Sequence, residues 1–169
     1  MLFFDCRWYQ CMGGIMVEQQ PVTGGCLCGA VRYEAKETPN AGFFCHCTMC
    51  QKHHGGLFGA TVRIPKTALK FIKGQPTYYR SSAVAQRGFC VVCGSPLAFV
   101  FDAMPDAWIS IGSLDRPGDW PLTKAATWGP ISHLQVDSKV VWLDINDGLP
   151  RHAGGPLRTK AQILSTKFT

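Results

Sequence analysis

At 169 residues, with 46% hydrophobic and 17% charged side chains, the chain is long enough to bury one sizeable core and too apolar to be disordered. Its 17 Lys and Arg outnumber 11 Asp and Glu, giving +6, but no run of five like charges occurs. That scatter fits a solvated surface or attraction for small anions, and it excludes the clustered basic patch of a nucleic-acid binder. No apolar run approaches the roughly 20 residues of a bilayer span.

In chain order, the first segment, MLFFDCRWYQCMGGI, carries Asp5 and Arg7 early and is not expected to be a signal peptide. Met16 reads as an ordinary beginning, so residues 1–15, with Cys6 and Cys11, are expected to be a spurious or disordered extension outside the metal chemistry. The count of 18 Gly and 11 Pro favours turns and short strands. Strands are predicted at Ala30 to Glu34, Leu57 to Ile64, Leu69 to Lys73, Thr77 to Arg80, Leu97 to Phe101 and Ala107 to Ile111. Asp102 to Asp106 is predicted as a hairpin-like turn, and Val140 to Leu143 as a last strand that closes the core. Single helical turns are expected at Thr48 to His53 and Pro65 to Ala68. The expected fold is mainly β, in antiparallel sheets with very little helix: one domain over 16–151, then a loosely held tail over 152–169.

Seven of nine cysteines fall in three clusters, Cys26-x-Cys28, Cys45-x-Cys47-x-x-Cys50 and Cys90-x-x-Cys93. Without export the cysteines belong to a reducing compartment, the cytoplasm, where thiolate–metal binding is favoured over disulfides. Gly29 and Gly94 follow the two pairs and allow tight turns that aim backbone N–H groups at sulfur. Together the pairs supply the four thiolates of a closed structural zinc site; alternatively each is a redox pair or plain buried cysteine. The trio leaves a tetrahedral ion one ligand short. Water, a substrate thiolate, or one of His46, His53 and His54 can fill that place, the last giving a closed structural site. An ion held by three thiolates activates water poorly and suits binding of a further thiol as thiolate.

Three segments, Gly24 to Tyr33, Cys45 to Lys52 and Gly88 to Leu97, together with Gly112 to Asp115 and Asp144 to Arg151, resemble the glutathione-dependent formaldehyde-activating enzyme family. The resemblance spans about Gly24 to Arg151 and includes all seven clustered cysteines in order and spacing. It implies a β-tent-like fold, a zinc on Cys26, Cys28, Cys90 and Cys93, and a second zinc on Cys45, Cys47 and Cys50. It also implies a carbon–sulfur lyase that joins formaldehyde to glutathione as S-hydroxymethylglutathione. Where that family carries a His-Ile-Trp-type segment, this chain reads Ala125-Ala126-Thr127-Trp128-Gly129-Pro130, keeping the tryptophan without the histidine and leaving the substrate open.

On this reading the trio is catalytic, with glutathione as thiol co-substrate and an aldehyde as the other partner. Glutathione's carboxylates call for basic residues, with Arg87 first and Arg80, Lys52 and Arg63 behind it; a solvated strand position is the alternative for Arg87. Ser81 and Ser82 either bond the co-substrate's peptide groups or start a turn. Phe43 and Phe44 are expected in the core, and Trp108, Trp120, Trp128 and Trp142 in the core or at a pocket rim. Homo-oligomerisation is left open, and a non-catalytic zinc-stabilised binding or scaffold module is the alternative function.

Overall fold

A computed structural model describes residues 21–37, 39, 41–117 and 131–154 in full and the backbone of 9–12, 15–18 and 130. Its elements are β1 (Tyr9–Met12), β2 (Ile15–Glu18), β3 (Val22–Gly25), β4 (Arg32–Ala35), β5 (Gly42–Cys45), α1 (Thr48–His54) and β6 (Gly59–Pro65). There follow β7 (Leu69–Lys73), β8 (Thr77–Ser82), β9 (Ala85–Phe89), β10 (Pro96–Phe101), β11 (Asp106–Ser110), β12 (Pro130–Leu134) and β13 (Arg151–His152). The fold is mainly β. Calls for Cys6, Trp120, residues 125–129 and the tail beyond 154 lie outside the described residues.

Three sheets form. β1 and β2 make a hairpin with Cys11 opposite Met16. β3, β4 and β7 make a three-stranded sheet, and the other eight strands run in the order β13-β12-β5-β6-β11-β10-β9-β8. Six of the large sheet's strands pair antiparallel as expected, but β12 runs parallel to both β5 and β13. This departs from the all-antiparallel expectation, because long connections bring the chain's last strands back beside β5. No helix among the described residues is long and apolar enough to cross a membrane.

Period-two alternation gives the central strands two working faces. On β6, Val62 and Ile64 point into the core with Leu97, Ala107 and Ile109, against Val22, Tyr33 and Ala35 of the small sheet. Residues of the other face, Thr61 of β6, Phe99 of β10 and Arg87 of β9, line a cavity on the sheet. The two sheets are tied by the turn after β11: Tyr33 Oη and Ser113 Oγ share a buried 2.8 Å hydrogen bond. Asp115 accepts from Thr23 at 2.7 Å and pairs with Arg32.

The expected closing strand over Val140 to Leu143 does not form. Lys139 Nζ donates to the carbonyls of Val140 and Leu143, turning the backbone, and Val141 and Trp142 are 90% and 69% exposed. Trp142 is therefore in no core, whereas Trp108 is buried and packs on Phe43, Phe99 and Phe101.

Candidate functional site

Cys26 and Cys28 follow β3, and Cys90 to Cys93 form the loop of the β9–β10 hairpin. Gly29 and Gly94 sit at φ +71° and +75°, where a side chain is strained, and close both turns. Their N–H groups bond back to Cys26 O at 3.1 Å and Cys90 O at 2.8 Å. Val31 N–H donates to Cys26 Sγ at 3.2 Å. The Ser95 hydroxyl joins the knuckles, accepting from Leu27 N at 3.1 Å and lying 3.1 Å from Cys93 Sγ. This hydroxyl, with its backbone, holds the Cys93 thiol down to about 5.

The four sulfurs lie within 4.8 Å of one another. Zinc–sulfur bonds of about 2.3 Å make the edge of a sulfur tetrahedron about 3.8 Å. The separations Cys26–Cys28 and Cys28–Cys90 are 3.6 and 3.8 Å, so the donor set fits a zinc ion. Cys26 and Cys90 are also members of the apolar core, so the knuckles are its margin.

The trio begins where β5 ends. Cys47 caps α1, its Sγ accepting the Cys50 N–H at 3.4 Å, and the helix stops at Gly55, whose φ is +62°. The expected single turn is thus a seven-residue helix. The loop is pinned from both sides: His46 N–H bonds Leu134 O at 2.9 Å, and Gln51 Nε2 donates to His46 O and Ser138 O. The sulfurs of Cys45, Cys47 and Cys50 lie within 4.8 Å of one another and also fit a metal. Hydrogen bonds from Cys45 and then Cys50, aided by the Cys50 N–H and the Arg87 charge, hold the Cys47 thiol well below its usual range. The Cys45 thiol is pushed up by the same pairing and by burial.

Among the described residues no histidine nitrogen joins either sulfur set. His46, offered by its position as a ligand, instead turns its ring away: Nε2 lies 2.9 Å from Nδ1 of His133. Nε2–H of His133 donates to Asp147 at 2.7 Å, so a carboxylate anchors the far end of the pair. His133 carries no local sequence signal; Asp147, within the Asp144 to Arg151 motif, is its one trace. His53 reaches Tyr79 Oη at 3.3 Å. His53 and His54 are both held down to about 4, by burial first and then by the Arg87 charge.

Beside the trio lies a cavity of about 80 Å³. The fold brings every expected site residue outside the knuckles to it: Cys45, Cys47, Cys50, Ser81, Ser82 and Arg87. Arg87 is only 3% exposed, so the solvated-strand alternative fails. One guanidinium nitrogen donates to Cys50 Sγ at 3.4 Å, and its carbon sits 4.7 Å over the Phe99 ring. Ser81 and Ser82 line the cavity and also shape the β8–β9 turn, through Ala85 O and Val84 N. Arg80 is not at the cavity but pairs with Asp102 at 2.5 Å, Arg63 faces Asp106 at 3.8 Å, and Lys52 is exposed on α1. Phe43 corrects the core expectation by forming cavity wall; Phe44, on the opposite face of β5, packs on Phe58 and His133. Thr61, Phe99 and Phe101 are cavity residues that carry no motif.

A mainly β domain with one closed and one open set of thiolate ligands, the open set beside a cavity, defines a class of metal-capable thiol-site proteins. Within it, this chain belongs to the glutathione-dependent formaldehyde-activating enzyme family, whose sequence pattern matches residues 21–130. Among solved structures it is similar to a Rhodobacter sphaeroides protein at 23% identity, with a TM-score of 0.48. That match covers 59% of this chain and 91% of the other.

Proposed function

We propose that the protein is a carbon–sulfur lyase of the S-(hydroxymethyl)glutathione synthase type, adding a thiol, glutathione, to a small aldehyde such as formaldehyde. The observation that carries this reading is the three-sulfur set opening on a cavity, beside a four-sulfur set that is complete. A zinc ion on Cys45, Cys47 and Cys50 would supply one exchangeable position at which a thiol binds as thiolate.

The chain's own residues supply the rest. Arg87 places a buried positive charge beside the sulfurs, favouring anionic sulfur there. Ser81 and Ser82 offer hydroxyls to the co-substrate's peptide groups. The aromatic walls exclude water, which strengthens each polar contact within. The knuckle zinc on Cys26, Cys28, Cys90 and Cys93 is proposed as structural only. The domain spans 16–151, and its thiol chemistry suits the reducing cytoplasm.

X-ray absorption at the zinc edge tests this on the full chain. The reading expects two zinc ions per chain and, on saturation with glutathione, one additional sulfur on the trio's ion. A single tightly held zinc with no response to thiol would overturn the reading in favour of a zinc-stabilised scaffold.

A further inference from the structure

Arg87 is a buried cation with an incomplete set of partners. Among the described residues no carboxylate pairs with it; its neighbours are Cys50 Sγ at 3.4 Å and the Phe99 ring face. Its Nε–H is buried and makes no hydrogen bond, and the same is true of Thr61 Oγ1. Both residues line the cavity beside the trio. Buried polar groups are nearly always satisfied, and those that are not mark strain or a missing ligand. Two orphans on one small cavity point to a ligand whose polar atom completes both.

Size narrows that ligand. The cavity's 80 Å³ is far below the roughly 300 Å³ or more of a pocket for a drug-sized molecule, so it takes part of a ligand and leaves the bulk of a tripeptide outside. Its remaining walls near the orphans are Phe43, Phe99 and Phe101, which suit a carbon and not a second charge.

We propose that Arg87 and Thr61 are the carbonyl-oxygen site of the reaction, in a cavity whose small size and apolar walls favour short aldehydes. This rests on the thiol-addition reading given above. In the step itself, the thiolate lone pair forms the C–S bond while the C=O π pair moves onto oxygen. Arg87 Nε–H and Thr61 Oγ–H donate to that oxygen as its charge grows. The alkoxide then takes one proton from water, balancing the proton the thiol released on binding. No electrons are gained or lost overall, and the product is the hydroxyalkyl thioether. Donors aimed at developing charge in a water-poor site contribute more than they would in solvent.

Formate, a small oxyanion with the right geometry for the two donors, is the probe for binding; ¹³C-formate line broadening measures it on the zinc-loaded full chain. Wild type should bind saturably, R87Q at least tenfold more weakly, and the near-isosteric T61V about three- to tenfold more weakly. In the addition assay R87Q should lose roughly 10²–10³ in rate with zinc content unchanged, a loss larger than the weakening of thiol uptake that follows from removing the positive charge beside the sulfurs. Isobutyraldehyde should react at least 100-fold more slowly than acetaldehyde in wild type. If R87Q does not fold, T61V decides, since Thr61 Oγ1 has no partner to lose. Formate binding indifferent to both substitutions overturns the oxygen site, even if thiol reaches the trio's metal. Arg87-dependent formate binding without thiol uptake supports the oxygen site and removes the thiol-addition reading instead.

Discussion

The two sulfur sets lie in contrasting surroundings. The four-sulfur set closes on itself, and two of its cysteines belong to the core shared by the large and small sheets. Its knuckle tips face outward: Leu27 is 91% exposed, and Val91 and Val92 are exposed too. The three-sulfur set adjoins the sheet's other face, beside a cavity with a buried arginine and an orphaned hydroxyl. Cysteine alone therefore does not distinguish structure from chemistry. What distinguishes the two sets is what stands beside the first three sulfurs: a fourth protein sulfur in one case, a cavity in the other.

The largest expected effect breaks the first set. Cys93→Ala leaves three knuckle sulfurs, and metal-coupled folding of this kind contributes about 10 kcal/mol or more in small zinc modules. The variant should lose its cooperative melting transition in circular dichroism. Cys47→Ala should melt within a few degrees of wild type, yet bind one zinc per chain instead of two and lose thiol addition. If Cys47→Ala unfolds the chain as Cys93→Ala does, both sets are structural and the contrast fails.

A smaller effect tests what seats the first knuckle. A Cβ at Gly24 would overlap Tyr33 Oη and the Ser113 carbonyl. Neither can yield easily, because Tyr33 is fully buried and bonded to Ser113. Gly24→Ala should therefore cost about 1–3 kcal/mol, read as a lower denaturant midpoint. It should also speed chelator removal of the knuckle zinc while leaving the trio's exchange rate alone. Equal acceleration at both sites would show that the small sheet supports the whole molecule and not the knuckle in particular.

Much of this contrast was legible in the chain. The 2, 2 and 3 cysteine spacing marked both sets, because coordination chemistry constrains residues a few positions apart. The strands of β7 and β8 were legible for a similar reason, being bounded by Gly74, Pro76 and polar turns. The cavity was only partly so. Arg87, Ser81 and Ser82 stood close in sequence to a cysteine cluster, but Phe43, Thr61 and Phe99 come together only through the register of β5, β6 and β10. His133 is 87 residues from His46, and no local pattern anticipates a bond across that separation. Val140 to Leu143 misled because a short apolar run reads alike as a strand or as an exposed turn.

The smallest effect concerns the trio's side alone. His53 and His54 titrate near 4 in the fold, by burial and then by the Arg87 charge, against about 6.5 in the unfolded chain. As pH falls below 6.5 the unfolded chain takes up these protons and the folded chain does not, so stability drops until about pH 4, below which these two residues add no further slope. His53 bonds Tyr79 through one ring nitrogen, and His53→Gln preserves a polar partner there while removing the titration. Its melting temperature should therefore decline less than wild type's between pH 6.5 and 4, and the two should differ little above pH 7. Because acid also protonates zinc thiolates, the comparison is made on Cys47→Ala backgrounds, where the trio holds no metal. A slope unchanged by His53→Gln would mean that burial and the Arg87 charge do not hold His53 below its ordinary range in the fold.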